Sequence, residues 1–70
     1  MPKLYSSKKI AKVLESDGFF FVGQHGSHGK FRKNGDPTLT VILPMNKKEI
    51  PQGTFRSILK QSHLEESAFL

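Results

Sequence analysis

Residues 28 to 44 read HGKFRKNGDPTLTVILP, and the alternation in this stretch decides what the rest of the chain builds. From Thr38 onward, Leu39, Val41 and Leu43 alternate with Thr38, Thr40 and Ile42 until Pro44 ends the run, which is the pattern of a half-buried strand. Asn34-Gly35-Asp36-Pro37 is turn chemistry, so HGKFRK before it reads as the preceding strand of an antiparallel pair. Alternate side chains of a strand share a face, which sets His28, Lys30 and Arg32 against Gly29, Phe31 and Lys33. Phe31 is the apolar member and marks the core side. His28, Lys30 and Arg32 are therefore expected on the open side.

Ahead of this stretch, FFFVGQ at residues 19 to 24 is a further strand of aromatic and β-branched residues. Its near-continuous apolarity allows either Phe20 and Val22, or Phe19 and Phe21, to face the core. HGSHG, residues 25 to 29, supplies the turn between the first two strands. Upstream, SSKKIAKVLESDGF places Ile10, Val13 and Leu14 at helical i, i+3, i+4 spacing, with Lys8, Lys9, Lys12 and Glu15 on the other face. Ser6 or Ser7 caps that helix and Asp17-Gly18 stops it. Downstream of a basic connector, NKKE, Pro51 lies near the first turn of a second helix, on which Phe55, Ile58 and Leu59 repeat the stripe. HLEESAFL adds a short terminal turn with Leu64 and Phe69 as anchors. The order is α-β-β-β-α, an α+β fold in which a three-stranded antiparallel sheet carries two helices on one face and leaves the other to water.

Seventy residues make one domain, residues 1–70. A chain of this length buries only about 60% of the surface that it exposes unfolded. Function is thus expected on an open surface rather than in a deep cleft, and no cofactor is expected. No apolar run reaches the roughly 20 residues of a membrane span, and none behind MPKLYSSKK suits a signal peptide. With no cysteine, a disulfide or thiolate site is excluded, and a cytoplasmic location is the default expectation. The net charge of +5 and isoelectric point near 9.8 make a polyanion the leading partner, nucleic acid before an acidic protein.

An imidazole beside two cations on an open sheet suits a phosphodiester. RNA carries its own nucleophile in the 2′-hydroxyl, so a cleaving protein supplies a proton acceptor, a proton donor and positive charge around one phosphate. Histidine takes either proton role near neutral pH. His28 is the candidate catalyst, with Lys30 and Arg32 gripping phosphate, and Lys47 and Lys48 reaching phosphates from the sheet's rim. His25 and His63 read as solvated or capping residues, and Arg56 as a surface cation or a fixed donor. The histidines lack the i, i+4 helical spacing of a metal site, so no metal is expected. GQHGSHG lacks the Gly-Lys-Ser/Thr ending and following helix of a phosphate-binding loop, which excludes that nucleotide-binding motif.

Asp17-Gly18-Phe19, then Gly26-Ser27-His28 with Phe31 three residues on, and PQGTFRSILKQ from Pro51 to Gln61 stand in an order and spacing that resembles the HicA-type toxins. These are the YcfA-like mRNA interferases of bacterial toxin-antitoxin modules, and the resemblance spans nearly the whole chain. It implies a fold like that of double-stranded-RNA-binding domains, cleavage of mRNA that inhibits translation and growth, and neutralisation by a HicB-type antitoxin. It also implies that His28, in its Gly-Ser-His motif, is catalytic, with Ser27 beside it at the RNA. Relatives often carry a second histidine directly after the catalytic one and another shortly after the proline ending the third strand. Here those places hold Gly29 and Met45-Asn46.

The leading reading is a metal-independent endoribonuclease toxin of a type II system. The rivals are a non-catalytic double-stranded-RNA-binding module, held by phosphate and 2′-hydroxyl contacts, and a basic protein-interaction domain.

Overall fold

The computed structural model describes residues 3–70, with helix α1 over Ser7–Ser16, strands β1 over Phe20–His25, β2 over His28–Lys33 and β3 over Leu39–Pro44, helix α2 over Gln52–Ser62, and a 3-10 turn over Glu66–Phe69. The strands form one antiparallel sheet in the order β1-β2-β3. This is the expected α-β-β-β-α architecture with both helices on one face.

Local chemistry sets each boundary. Ser6 caps α1, its hydroxyl accepting from the Lys9 N–H at 3.0 Å, and Gly18 leaves the helix at φ +104°, where a side chain is strained. Pro51 precedes α2 as its N-cap, and His63 ends that helix in a left-handed conformation. His63 is therefore a capping residue.

Phe31, Val41 and Leu43 present the sheet's inner face to Ile10 and Leu14 of α1 and Phe55 and Ile58 of α2. Tyr5, Phe55 and Phe69 form an aromatic cluster with centroids 5.0 to 6.0 Å apart, so the terminal turn is anchored by Phe69, while Leu64 is partly buried against the core. The connector adds Ile50, fully buried, whose N–H donates to the Tyr5 carbonyl at 2.8 Å.

Two polar clamps tie the helices to the sheet. The buried Ser7 hydroxyl donates to the Pro44 carbonyl at 2.6 Å and accepts from the Lys47 N–H at 3.0 Å. On the outer edge of β3, Gln61 Oε1 of α2 accepts from the Ile42 N–H at 2.8 Å and occupies a strand donor that would otherwise face solvent.

On β1 the second of the two alternatives holds. Phe19 is buried and Phe21 pairs with Phe31 across the ladder, their rings edge-on at 5.5 Å. Phe21 is nevertheless 48% exposed, because β1 is an edge strand and α2 packs chiefly on β3 at the opposite edge. Phe20 pairs with Arg32, on the face away from the helices. The register then slips: Phe21 faces Phe31 but Gly23 faces Lys30, leaving Val22 without a partner as a β-bulge.

Candidate functional site

The sheet face without helices is where the candidate residues gather. Gly29 and Phe31 of β2 are buried while His28 and Lys30 are exposed, so the face expected from alternation is the face observed. Arg32 continues the row toward the far end of the strand. Lys33 points to the helix side, where its ammonium meets Asp17 Oδ2 at 2.8 Å and lies 5.8 Å from the centre of the Phe19 ring. Asp17 thereby holds the one strand cation on the inner face and leaves Lys30 and Arg32 unpaired by it.

A depression of about 500 Å³ opens on this face. His25, His28 and Lys30 line it, with Val22 and Ile42 as apolar walls. Lys30 pairs with Ile42 across the β2–β3 ladder and His28 pairs with Pro44, so β3 contributes no charge beside the histidine. The face left to water is thus both cationic and apolar: Phe20, Val22 and Ile42 are all 38% exposed or more. Such a surface suits a ligand with a charged backbone and flat, weakly polar faces.

His25, read from the sequence as a solvated or capping residue beside the turn, is exposed, and it ends β1 directly opposite His28. The link between them is the pair Gly26-Ser27, with Gly26 at φ +60° as the first position of a tight hairpin turn. Simple alternation from Phe21 would put Gly23 and His25 on the core side. The extra residue at the Val22 bulge reverses that parity and delivers His25 to the open face beside His28. The signal present in the sequence was the spacing itself, two histidines flanking a two-residue Gly-Ser hairpin turn, since such a turn pairs the residues on either side of it.

Ser27 Oγ lies 3.5 Å from His28 Nδ1, at the outer limit of a hydrogen bond. The Ser27 carbonyl accepts from the Met45 N–H at 2.7 Å and ties the hairpin tip to the segment after β3. That segment carries Lys47 and Lys48, both exposed at the same end of the sheet, although neither lines the depression. Lys8, Lys9 and Lys12 are exposed on α1, and Arg56 is exposed on α2. Among the described residues no three histidine, aspartate or glutamate side chains assemble into a group able to hold a metal ion. No described helix is long and apolar enough to cross a membrane.

The geometry corrects the meaning of one departure noted above. Gly29 faces the buried side, and a Cβ placed there would lie 2.8 Å from Met45 Sδ and 3.2 Å from Phe21 Cε1. A side chain at position 29 would project away from the face that carries His28. Met45, the residue after Pro44, fills that space instead.

Compared with known proteins, residues 7–64 match the family model of the HicA toxin of bacterial toxin-antitoxin systems. No curated protein matches the chain.

Proposed function

The chain belongs to the HicA toxin family, and from that premise we propose that it is a metal-independent endoribonuclease that cleaves mRNA, with His28 as the proton-transfer catalyst. The observation that carries this reading is the placement of His28 beside Lys30 on an open, uncovered sheet face, within a depression sized for part of a nucleotide chain. Proton abstraction from the 2′-hydroxyl makes that oxygen the nucleophile on the adjacent phosphorus. Lys30 and Arg32 offset the charge that develops on the phosphate oxygens. The leaving group is the 5′-oxygen of the next nucleotide, so the products carry a cyclic 2′,3′-phosphate and a 5′-hydroxyl.

Family membership also supports a protein antitoxin as partner. We assign that partner to the HicB type, with an acidic surface that covers the His28 face, as suits a toxin of net charge +5. Lys47, Lys48 and Ser27 complete the RNA contacts at the hairpin end.

The test is cleavage of a labelled RNA in excess EDTA by wild type and His28→Ala, with analysis of product ends. Wild-type cleavage that yields cyclic phosphate and is lost in the variant supports the reading. A 3′-hydroxyl on the upstream fragment rules out the 2′-hydroxyl mechanism. Binding without cleavage by both proteins would favour the RNA-binding module.

A further inference from the structure

Transesterification of RNA moves two protons, one off the 2′-hydroxyl and one onto the departing 5′-oxygen, and His28 alone accounts for one of them. We infer that His25 is the second proton-transfer group, the general acid of a two-histidine site; this rests on the nuclease reading above.

The inference comes from register. His25 and His28 are directly opposed at the closed end of the β1–β2 hairpin. Opposed residues of an antiparallel pair project from the same face with Cβ atoms about 4.5–5.5 Å apart. Both side chains are exposed and both line the same depression. Two imidazoles rising from neighbouring strands at that separation reach opposite sides of one phosphate, and an in-line displacement needs its base and its acid on opposite sides.

Ser27 Oγ stands 3.5 Å from His28 Nδ1, and in the tautomer that carries its proton on Nδ1 the Nε2 of His28 is the acceptor; we take that tautomer for the base. His28 takes the 2′-hydroxyl proton as the O2′–P bond forms. His25, as the imidazolium, gives its proton to the 5′-oxygen as the P–O5′ bond breaks. The charged group facing this pair within the depression is Lys30; Ile42 and Pro44 face them from β3, and neither is ionisable. Each histidine returns to its starting state by exchange with water, so no further reactant is needed.

The Val22 bulge is the structural device behind the arrangement. It sits three residues before His25 and sets which face His25 occupies. A second proton carrier therefore stands beside His28 although position 29, where relatives often place a histidine, holds glycine and faces the other way.

The test separates acid catalysis from every other role by changing the leaving group. Wild type, His25→Ala and His28→Ala are compared on an RNA oligonucleotide and on a ribonucleoside 3′-(4-nitrophenyl phosphate), whose phenolate leaves without protonation. His25→Ala is expected to lose about 100-fold or more in kcat on RNA. On the activated ester it is expected to stay within about threefold of wild type. His28→Ala is expected to lose on both. On RNA the wild-type pH–rate profile is expected to be bell-shaped and the His25→Ala profile to lose its alkaline limb, with circular dichroism showing that each variant is folded. His25→Ala cleaving RNA like wild type, or losing equally on both substrates, overturns the inference while leaving the nuclease reading in place. A wild type that cleaves neither substrate overturns both.

Discussion

The Ser7 hydroxyl donates to the Pro44 carbonyl at 2.6 Å, joining the first turn of α1 to the residue that faces His28 across the β2–β3 ladder. The same oxygen accepts from the Lys47 N–H, and the Ser7 N–H donates to the Lys47 carbonyl at 2.9 Å. One buried serine thus holds the end of β3 and the start of the basic connector in a fixed relation to the helix layer. Ser7→Ala removes the hydroxyl and leaves both backbone partners without it. The expected cost is about 1–3 kcal/mol of unfolding free energy, read by urea denaturation. An unchanged midpoint and slope would show that water replaces the hydroxyl at no loss.

Lys30, Arg32 and Lys33 lie on one strand but have different jobs. Lys30→Ala and Arg32→Ala should weaken RNA binding and each flatten the dependence of log K on log salt concentration by about 0.7 for a single strand. Lys33→Ala breaks the half-buried Asp17 pair and should cost on the order of 1 kcal/mol of stability with no change in that slope. Fluorescence anisotropy across a salt series checks all three. An equal slope change in Lys33→Ala would mean that the inner and outer cations of β2 are wrongly sorted.

The apolar walls of the depression predict a different kinetic signature. Ile42 is 38% exposed, so Ile42→Thr costs the core little while it removes an apolar contact from the open face. An interaction made equally in the bound state and the transition state raises KM and leaves kcat alone when lost. Ile42→Thr is expected to raise KM for RNA severalfold at constant kcat, measured by initial rates. A fall in kcat at constant KM would put the side chain in the chemical step instead.

Most of the architecture was legible because the sequence follows strict periods. Leu39, Val41 and Leu43 alternate cleanly, Ile10 and Leu14 keep helical spacing, and Phe31 alone was enough to orient β2. The legible features are those in which one local pattern agrees with one buried face. What escaped lies where a pattern is broken or where burial comes from afar. Phe19, Phe20 and Phe21 look alike in sequence, and their sorting depends on how little of β1 the helices cover. Tyr5 and Ile50 enter the core through an irregular backbone pairing that has no period. The place of His25 opposite His28 escaped because the bulge at Val22 reverses the alternation, and a bulge has no fixed residue signature beyond a nearby glycine such as Gly23.

Gly29 and Met45 form the last testable pair. A Cβ at position 29 would stand 2.8 Å from Met45 Sδ and 3.1 Å from its Cγ, so Gly29→Ala forces the methionine to move. Because a methionine chain yields readily, the cost belongs at the low end of the roughly 1–3 kcal/mol typical of overpacking. In Met45→Ala the nearer obstacle is gone and only Phe21 Cε1, at 3.2 Å, remains, so adding Gly29→Ala there should cost less than it does in wild type. The double-mutant cycle is expected to return a favourable coupling of about 0.5 kcal/mol or more, read from urea midpoints. The same geometry bears on catalysis: Gly29→His, which supplies the residue that relatives often carry, puts its imidazole on the Phe21 and Met45 side of the sheet. It is expected to lower stability without raising the cleavage rate or rescuing His25→Ala. Rescue of His25→Ala by Gly29→His would show that a side chain at position 29 reaches the depression, and that the two faces of β2 are not separated as the register implies.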